Sequence, residues 1–276
     1  MLPILPYLIN ALLYGALAAY FWHAYWSPGA RALNTQAVLS WRDHWMVLVP
    51  LALHTSLLIR SAYAPDGLHL GIGNSVSAIL WLTVMIYWIG HFFYRLDGLQ
   101  ILVLPVAALG ALLPAVFPSI KPISSSDSPA FTAHLLMAML AYSLFTIASL
   151  HVLLMAMLEK RLHRGTLPAG LSGLPPLLTM EKLLFRIIWA GFLMLTLTLA
   201  SGLMFSEELF GRAARLNHKT LFGFVSWFVF AALLAGRHWR GWRGRIAVRW
   251  TLAGFLLLIL AYLGSKFVVE VLLGRS

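Results

Sequence analysis

A chain of 276 residues that is 61% hydrophobic and 11% charged, with a mean hydropathy of +0.83, carries more apolar surface than a soluble interior can take up. It contains no cysteine, so disulfides and thiol chemistry are excluded, a thiol-reducing role included. The formal net charge is +11, which raises the question of a nucleic-acid partner, but in a lipid-embedded chain basic residues are first a topology signal.

Crossing a bilayer takes about 20 apolar residues, and eight such runs follow one another: near Ile4–Trp22, Trp45–Ser61, Gly73–Phe92, Gly98–Phe117, Pro129–Leu158, Leu183–Phe205, Leu221–Gly236 and Val248–Leu272. The second is the weakest, its apolar core stopping at His54 and Thr55. The first has no basic residue ahead of it, which is unlike a signal peptide. The expected fold class is therefore all-α, a polytopic bundle of about eight transmembrane helices forming one domain over residues 1–276. Two longer connections interrupt it, residues 23–44 and the Pro/Gly-rich 163–178. Isolated glycines such as Gly191, Gly202 and Gly223 mark close helix packing rather than a phosphate loop, and no Walker or GxGxxG signature is present.

Lys and Arg divide unevenly between the two sides. The connections after spans one, three, five and seven hold Arg31, Arg42, Arg95, Lys160, Arg161, Arg164, Lys182, Arg237, Arg240, Arg243 and Arg245; the opposite side holds Arg60, Lys121, Arg212, Arg215, Lys219 and Arg275. The excess places the first set in the cytoplasm and both termini outside. The same rule accounts for GRHWRGWRGR, 236–245, without nucleic acid.

The chemistry then rests on histidine. His44, His163 and His238 read as solvated residues of cytoplasmic loops, His23 as an inner helix end and His69 as an outer loop. His54, His134 and His218 come from three different spans and converge on the outer half of the bundle. Ionisable groups in a membrane are costly and usually functional. One reading is that these rings only hydrogen-bond neighbouring helices. The other is haem, since neutral imidazole is a common axial ligand and Ala138, Ala141 and Ala148 lie on the His134 face, leaving room for a flat macrocycle. Zinc or copper fits less well, because no carboxylate, cysteine or HExxH arrangement accompanies the three. His91 and His151 lie toward the cytoplasm and are candidates for a second, inner haem; His151 is about 26 Å along the helix from His134 and cannot share its iron.

AHLLMAMLAYSLFTIASL, beginning at Ala133, then LPPLLTMEKLLFRIIWAGFLMLTLTLASGL, 174–203, and the segment 218–268 resemble the cytochrome c assembly family of haem-handling membrane proteins, in its small eight-span YpjD- or HemX-like branch. The resemblance implies haem b held at the outer face by a histidine at the start of a span, matched by His134, and by a second for which His218 is the positional candidate. It also implies an inner-membrane location and work alongside cytochrome c maturation proteins. Haem-lyase and haem-delivery members carry a WGxxWxWD-type platform between those histidines, whereas MFSEELFGRAARLNHKT, 204–220, has no tryptophan. The expected function is therefore haem binding and handling in cytochrome c maturation rather than haem attachment, since no residue supplies a nucleophile for making a thioether bond. His134 is the first ligand expected, His54 the second and His218 the third, with Arg212 and Arg215 placed to meet haem propionates. The alternatives are a b-type electron carrier or quinone oxidoreductase, and a HemX-like regulatory scaffold.

Overall fold

The computed structural model describes residues 4–26, 41–64, 67–119, 122, 128–164, 174–204 and 218–264. Nine α-helices follow in order among them: α1 Leu5–Trp26, α2 Trp41–Met46, α3 Leu48–Ala62, α4 Ile72–Gly90, α5 Gln100–Val116, α6 Pro129–His163, α7 Leu177–Met204, α8 His218–Arg240 and α9 Arg245–Ile259, the last closed by a π turn over Leu260–Gly264. Among the described residues the one strand pairing is a two-residue antiparallel pair, Tyr63–Ala64 with Gly67–Leu68. Seven segments are long and apolar enough to cross a membrane, with α2 and α3 counted together, and the 17-residue α5 is a shorter apolar helix. The chain is an all-α polytopic membrane protein.

Segment ends differ from expectation where polar residues sit inside helices. The second span begins at Trp41 instead of Trp45 and is broken at Val47 into α2 and α3. Arg42, Asp43 and His44 suggest a loop by composition, yet they belong to α2. α6 has 35 residues, about 52 Å at 1.5 Å each, so it outruns a hydrocarbon core of about 30 Å and carries Lys160, Arg161 and His163 on its projecting last turn. Its start is set by sequence: the Ser128 hydroxyl accepts the Phe131 N–H at 3.4 Å, and Pro129 stands where a missing N–H costs nothing. α7 starts at Leu177, one and a half turns before the expected Leu183, directly after Pro175 and Pro176.

The helices form two groups sharing a wall. In one, α1 packs on α5 and α3, and α4 on α5 and α3; in the other, α6 packs on α7 and α9, and α8 on α9 and α7. α4 against α6 joins them. Phe145 of α6 and Phe230 of α8, both fully buried, stack with centroids 3.9 Å apart at the heart of the second group. The glycines serve the packing expected of them. A Cβ on Gly191 would stand 3.2 Å from the Phe145 ring, one on Gly223 3.3 Å from Leu199, and one on Gly202 3.3 Å from His134. Along the small-residue face of α6, Ala141 and Ala148 are fully buried in the core, while Ala138, one turn from His134, is only partly buried.

Candidate functional site

His134 stands on the second turn of α6, half-buried against the end of α7. Its Nδ1 lies 2.8 Å from Ser201 Oγ, and the Ser201 hydroxyl lies 3.0 Å from the Thr198 carbonyl. A hydroxyl has one proton. Given to Thr198 O, that proton leaves Oγ to accept from Nδ1–H; given to Nδ1, it leaves the ring proton on Nε2, so the pair is satisfied by either tautomer.

His54 is surrounded differently. It is 1% exposed, its Nε2 lies 2.9 Å from Ser77 Oγ on α4, and its Nδ1 lies 3.4 Å from the Tyr14 hydroxyl on α1. Both ring nitrogens are engaged by neighbouring helices. The depths also separate it from His134. The Ser143 hydroxyl of α6 donates to the Ile79 carbonyl of α4 at 2.9 Å, which sets the two helices in register. In that register Ser77 is level with Ala141, seven residues and roughly 10 Å below His134. Both ring nitrogens of His54 are already engaged at that level, whereas His134 stands nearer the outer ends of the helices. The structure thus brings His134 to Ser201 and His54 to Tyr14 and Ser77, and does not bring the two histidines together.

His218 opens α8, and its backbone height can be read from α7. Trp227 Nε1 donates to Thr196 Oγ1 at 2.9 Å and Gly223 faces Leu199, so His218 lies roughly 5 Å farther out than Ser201. That level is closer to His134 than the level of His54 is. Arg212 and Arg215 lie outside the described residues.

The inner pair also separates. His151 is 2% exposed and donates Nε2–H to the Met180 carbonyl of α7 at 3.0 Å. His91, just past α4, stacks instead on His44, with centroids 5.1 Å apart and planes at 26°. Sequence reasoning missed His44, which is 5% exposed and also stacks on Trp88 at 5.1 Å and 12°. The signal was available, because Trp-x-x-His occurs twice, at Trp41–His44 and Trp88–His91, and the two copies fold onto each other. His44 Nε2 and His91 Nδ1 are buried without a hydrogen-bond partner among the described residues. In stacked rings the in-plane lone pairs run side by side rather than converging, and no group of three or more His, Cys, Asp or Glu is gathered for a metal ion among the described residues.

Beneath the basic inner turn, Arg237 Nη1 lies 2.6 Å from Glu181 Oε1, with its guanidinium 4.7 Å over the Phe185 ring. Gly241 and Gly244, at φ +66° and +57°, shape the turn that folds Trp242 flat onto Gly236.

Comparison with known proteins gives a consistent picture. The profile of the Cytochrome C assembly protein family matches residues 41–273. The inner membrane protein YpjD of Escherichia coli K12 is 34% identical over 145 residues, which is 52% of this chain and 54% of the relative. A protein of Azospirillum brasilense named only as a 28.8 kDa protein in the nifR3-like 5′ region is 36% identical over 142 residues, 51% and 52% of the two chains. The cytochrome c biogenesis protein CcsA of Prochlorococcus marinus MIT 9515 is 35% identical over 88 residues, 32% of this chain and 28% of that one. The matched segment thus spans about half the length of the first two relatives. No solved structure matches.

Proposed function

Because the chain belongs to the cytochrome c assembly protein family, we propose that it is a multi-pass inner-membrane protein that binds haem b at its outer rim and handles it during cytochrome c maturation. The observation that carries this reading is the place of His134, half-buried on the second turn of α6, with its Nδ1 held 2.8 Å from Ser201 Oγ of α7. The donor chemistry therefore fits the group, and a relative named for cytochrome c biogenesis supports the same direction.

In this reading His134 is the first ligand and His218, on the neighbouring α8, the second. His54 holds α1, α3 and α4 together through Tyr14 and Ser77. Arg212 and Arg215 meet the propionates by charge-assisted hydrogen bonds. His91 and His151 serve no common iron. Bound haem would supply an iron centre with low-spin character when both axial positions are filled by imidazole. The protein's part is to hold and orient it, within one transmembrane domain whose termini both lie outside the cytoplasm. Maturation proteins are the partners, and no nucleic acid is involved.

The test is genetic. In cells lacking this chain, covalent haem in c-type cytochromes should fall and return with the wild-type gene but not with His134→Ala. Normal c-type cytochromes in the absence of the chain, together with a quinol-reducible haem in the purified protein, would favour the electron-carrier reading instead.

A further inference from the structure

We propose that the turn joining α8 to α9 binds the headgroup of an anionic phospholipid, its phosphodiester held by Arg240, Arg243, Arg245 and Arg249. Arg240 closes α8, Arg243 stands in the turn, and Arg245 and Arg249 lie one helical turn apart on a single face of α9. All four are exposed, and none makes an ion pair with another described residue. Arg237, three residues before Arg240, differs, because Glu181 at 2.6 Å neutralises it. A topology signal asks only for positive charge on one side of the membrane. It does not ask for four guanidiniums gathered at one corner and left without an acidic partner.

The corner is held by specific contacts. The Trp242 N–H donates to the Gly236 carbonyl at 3.1 Å, and Arg237 Nη1 donates to the Trp242 carbonyl at 3.3 Å. The Trp242 ring packs against Trp250 with centroids 5.0 Å apart, so the chain reverses between Arg240 and Arg245 and carries both arginines on one turn. That turn lies at headgroup level. Arg240 and Arg245 end two segments long and apolar enough to cross a membrane, and Trp239, 81% exposed between them and the apolar run, is the kind of amphipathic ring that a bilayer interface holds. The Lys and Arg distribution assigns this end to the cytoplasmic side, where anionic lipids give the leaflet a negative surface potential. A guanidinium fork pairs bidentately with phosphate oxygens, and a zwitterionic headgroup already brings its own cation to them. Placement at the headgroup level also favours a lipid phosphate over RNA as the polyanion.

Native mass spectrometry of the detergent-purified protein, titrated with dioleoylphosphatidylglycerol and with dioleoylphosphatidylcholine, tests the proposal. The wild type should bind the anionic lipid roughly 10-fold more tightly than the zwitterionic one, or better. Arg243→Gln with Arg245→Gln, which leaves Arg237 and Arg240 to keep the orientation, should reduce that preference roughly 5-fold or more. Arg243→Gln and Arg249→Gln as single variants should each give a smaller loss in the same direction, so the result does not depend on the double variant folding. Lys160→Gln with Arg164→Gln removes the same charge from the same side, at the exposed end of α6, and should leave the preference unchanged. Absence of a preference in the wild type, or equal losses in the two double variants, would overturn the proposal. Binding of a single-stranded oligouridylate that disappears in the Arg243→Gln, Arg245→Gln variant, with the lipid preference intact, would assign the turn to RNA and overturn it as well.

Discussion

The hydroxyl of Ser143 donates to the main-chain carbonyl of Ile79 at 2.9 Å, and this contact sets α6 against α4 so that His134 and His54 occupy different levels of the bundle. His134 is left at the rim beside α7, and His54 is buried between α1 and α4.

The two histidines should therefore fail differently when removed. His54→Ala leaves the Tyr14 and Ser77 hydroxyls without their buried partner, at a cost of about 1–3 kcal/mol. The expected result is a lower Tm in detergent with haem per protein unchanged. Loss of haem with unchanged Tm would make His54 a ligand and undo the separation of levels.

Glu181 is enclosed at the inner ends of α7 and α8 and faces Arg237 at 2.6 Å. Arg237→Met leaves a buried carboxylate uncompensated, a loss of about 3–5 kcal/mol for a fully buried pair and less here because a third of the Arg237 side chain is exposed. Adding Glu181→Gln to Arg237→Met should recover much of that loss in thermal unfolding. Strict additivity of the two substitutions would show that the pair is not coupled.

Trp242 lies flat on Gly236, with no space for a Cβ. Gly236→Ala should destabilise by about 1–3 kcal/mol through overpacking. Combining it with Trp242→Leu should relieve most of the clash, read as a higher Tm than Gly236→Ala alone. A double variant less stable than both single ones would place the strain elsewhere.

The absence of cysteine makes topology measurable with single introduced thiols. Thr132→Cys, exposed at the start of α6, should react with an impermeant maleimide in cells with a permeabilised outer membrane, and Trp239→Cys, at an 81% exposed position, should react only after lysis. The reverse pattern would invert the orientation given by the Lys and Arg distribution.

Much of the fold was legible because hydropathy is a long-range, additive signal: each of the eight expected runs overlaps an apolar helix among the described residues, with 265–272 of the last run lying outside them. What escaped were features decided by single contacts. Arg42 and Asp43 made His44 look solvated, yet its ring is shielded by Trp88, His91 and Phe92, and a composition window cannot register stacking between distant segments. Helical spacing put Ala138, Ala141 and Ala148 on the His134 face, but it could not tell that neighbouring helices fill that face at Ala141 and Ala148. The pairing of His134 with Ser201, 67 residues away, needs the packing of α6 on α7, which one sequence does not encode in any local pattern.

The central claim is that His134 binds haem iron, and the absorption spectrum of purified His134→Ala beside the wild type, with haem content measured on the same samples, tests it most directly. The account predicts a wild-type protein with a sharp Soret band and low-spin α and β bands, and a folded His134→Ala variant that has lost haem or changed to a high-spin spectrum. A His134→Ala variant with the wild-type spectrum at full occupancy, or a colourless wild-type protein from haem-replete cells, would contradict it.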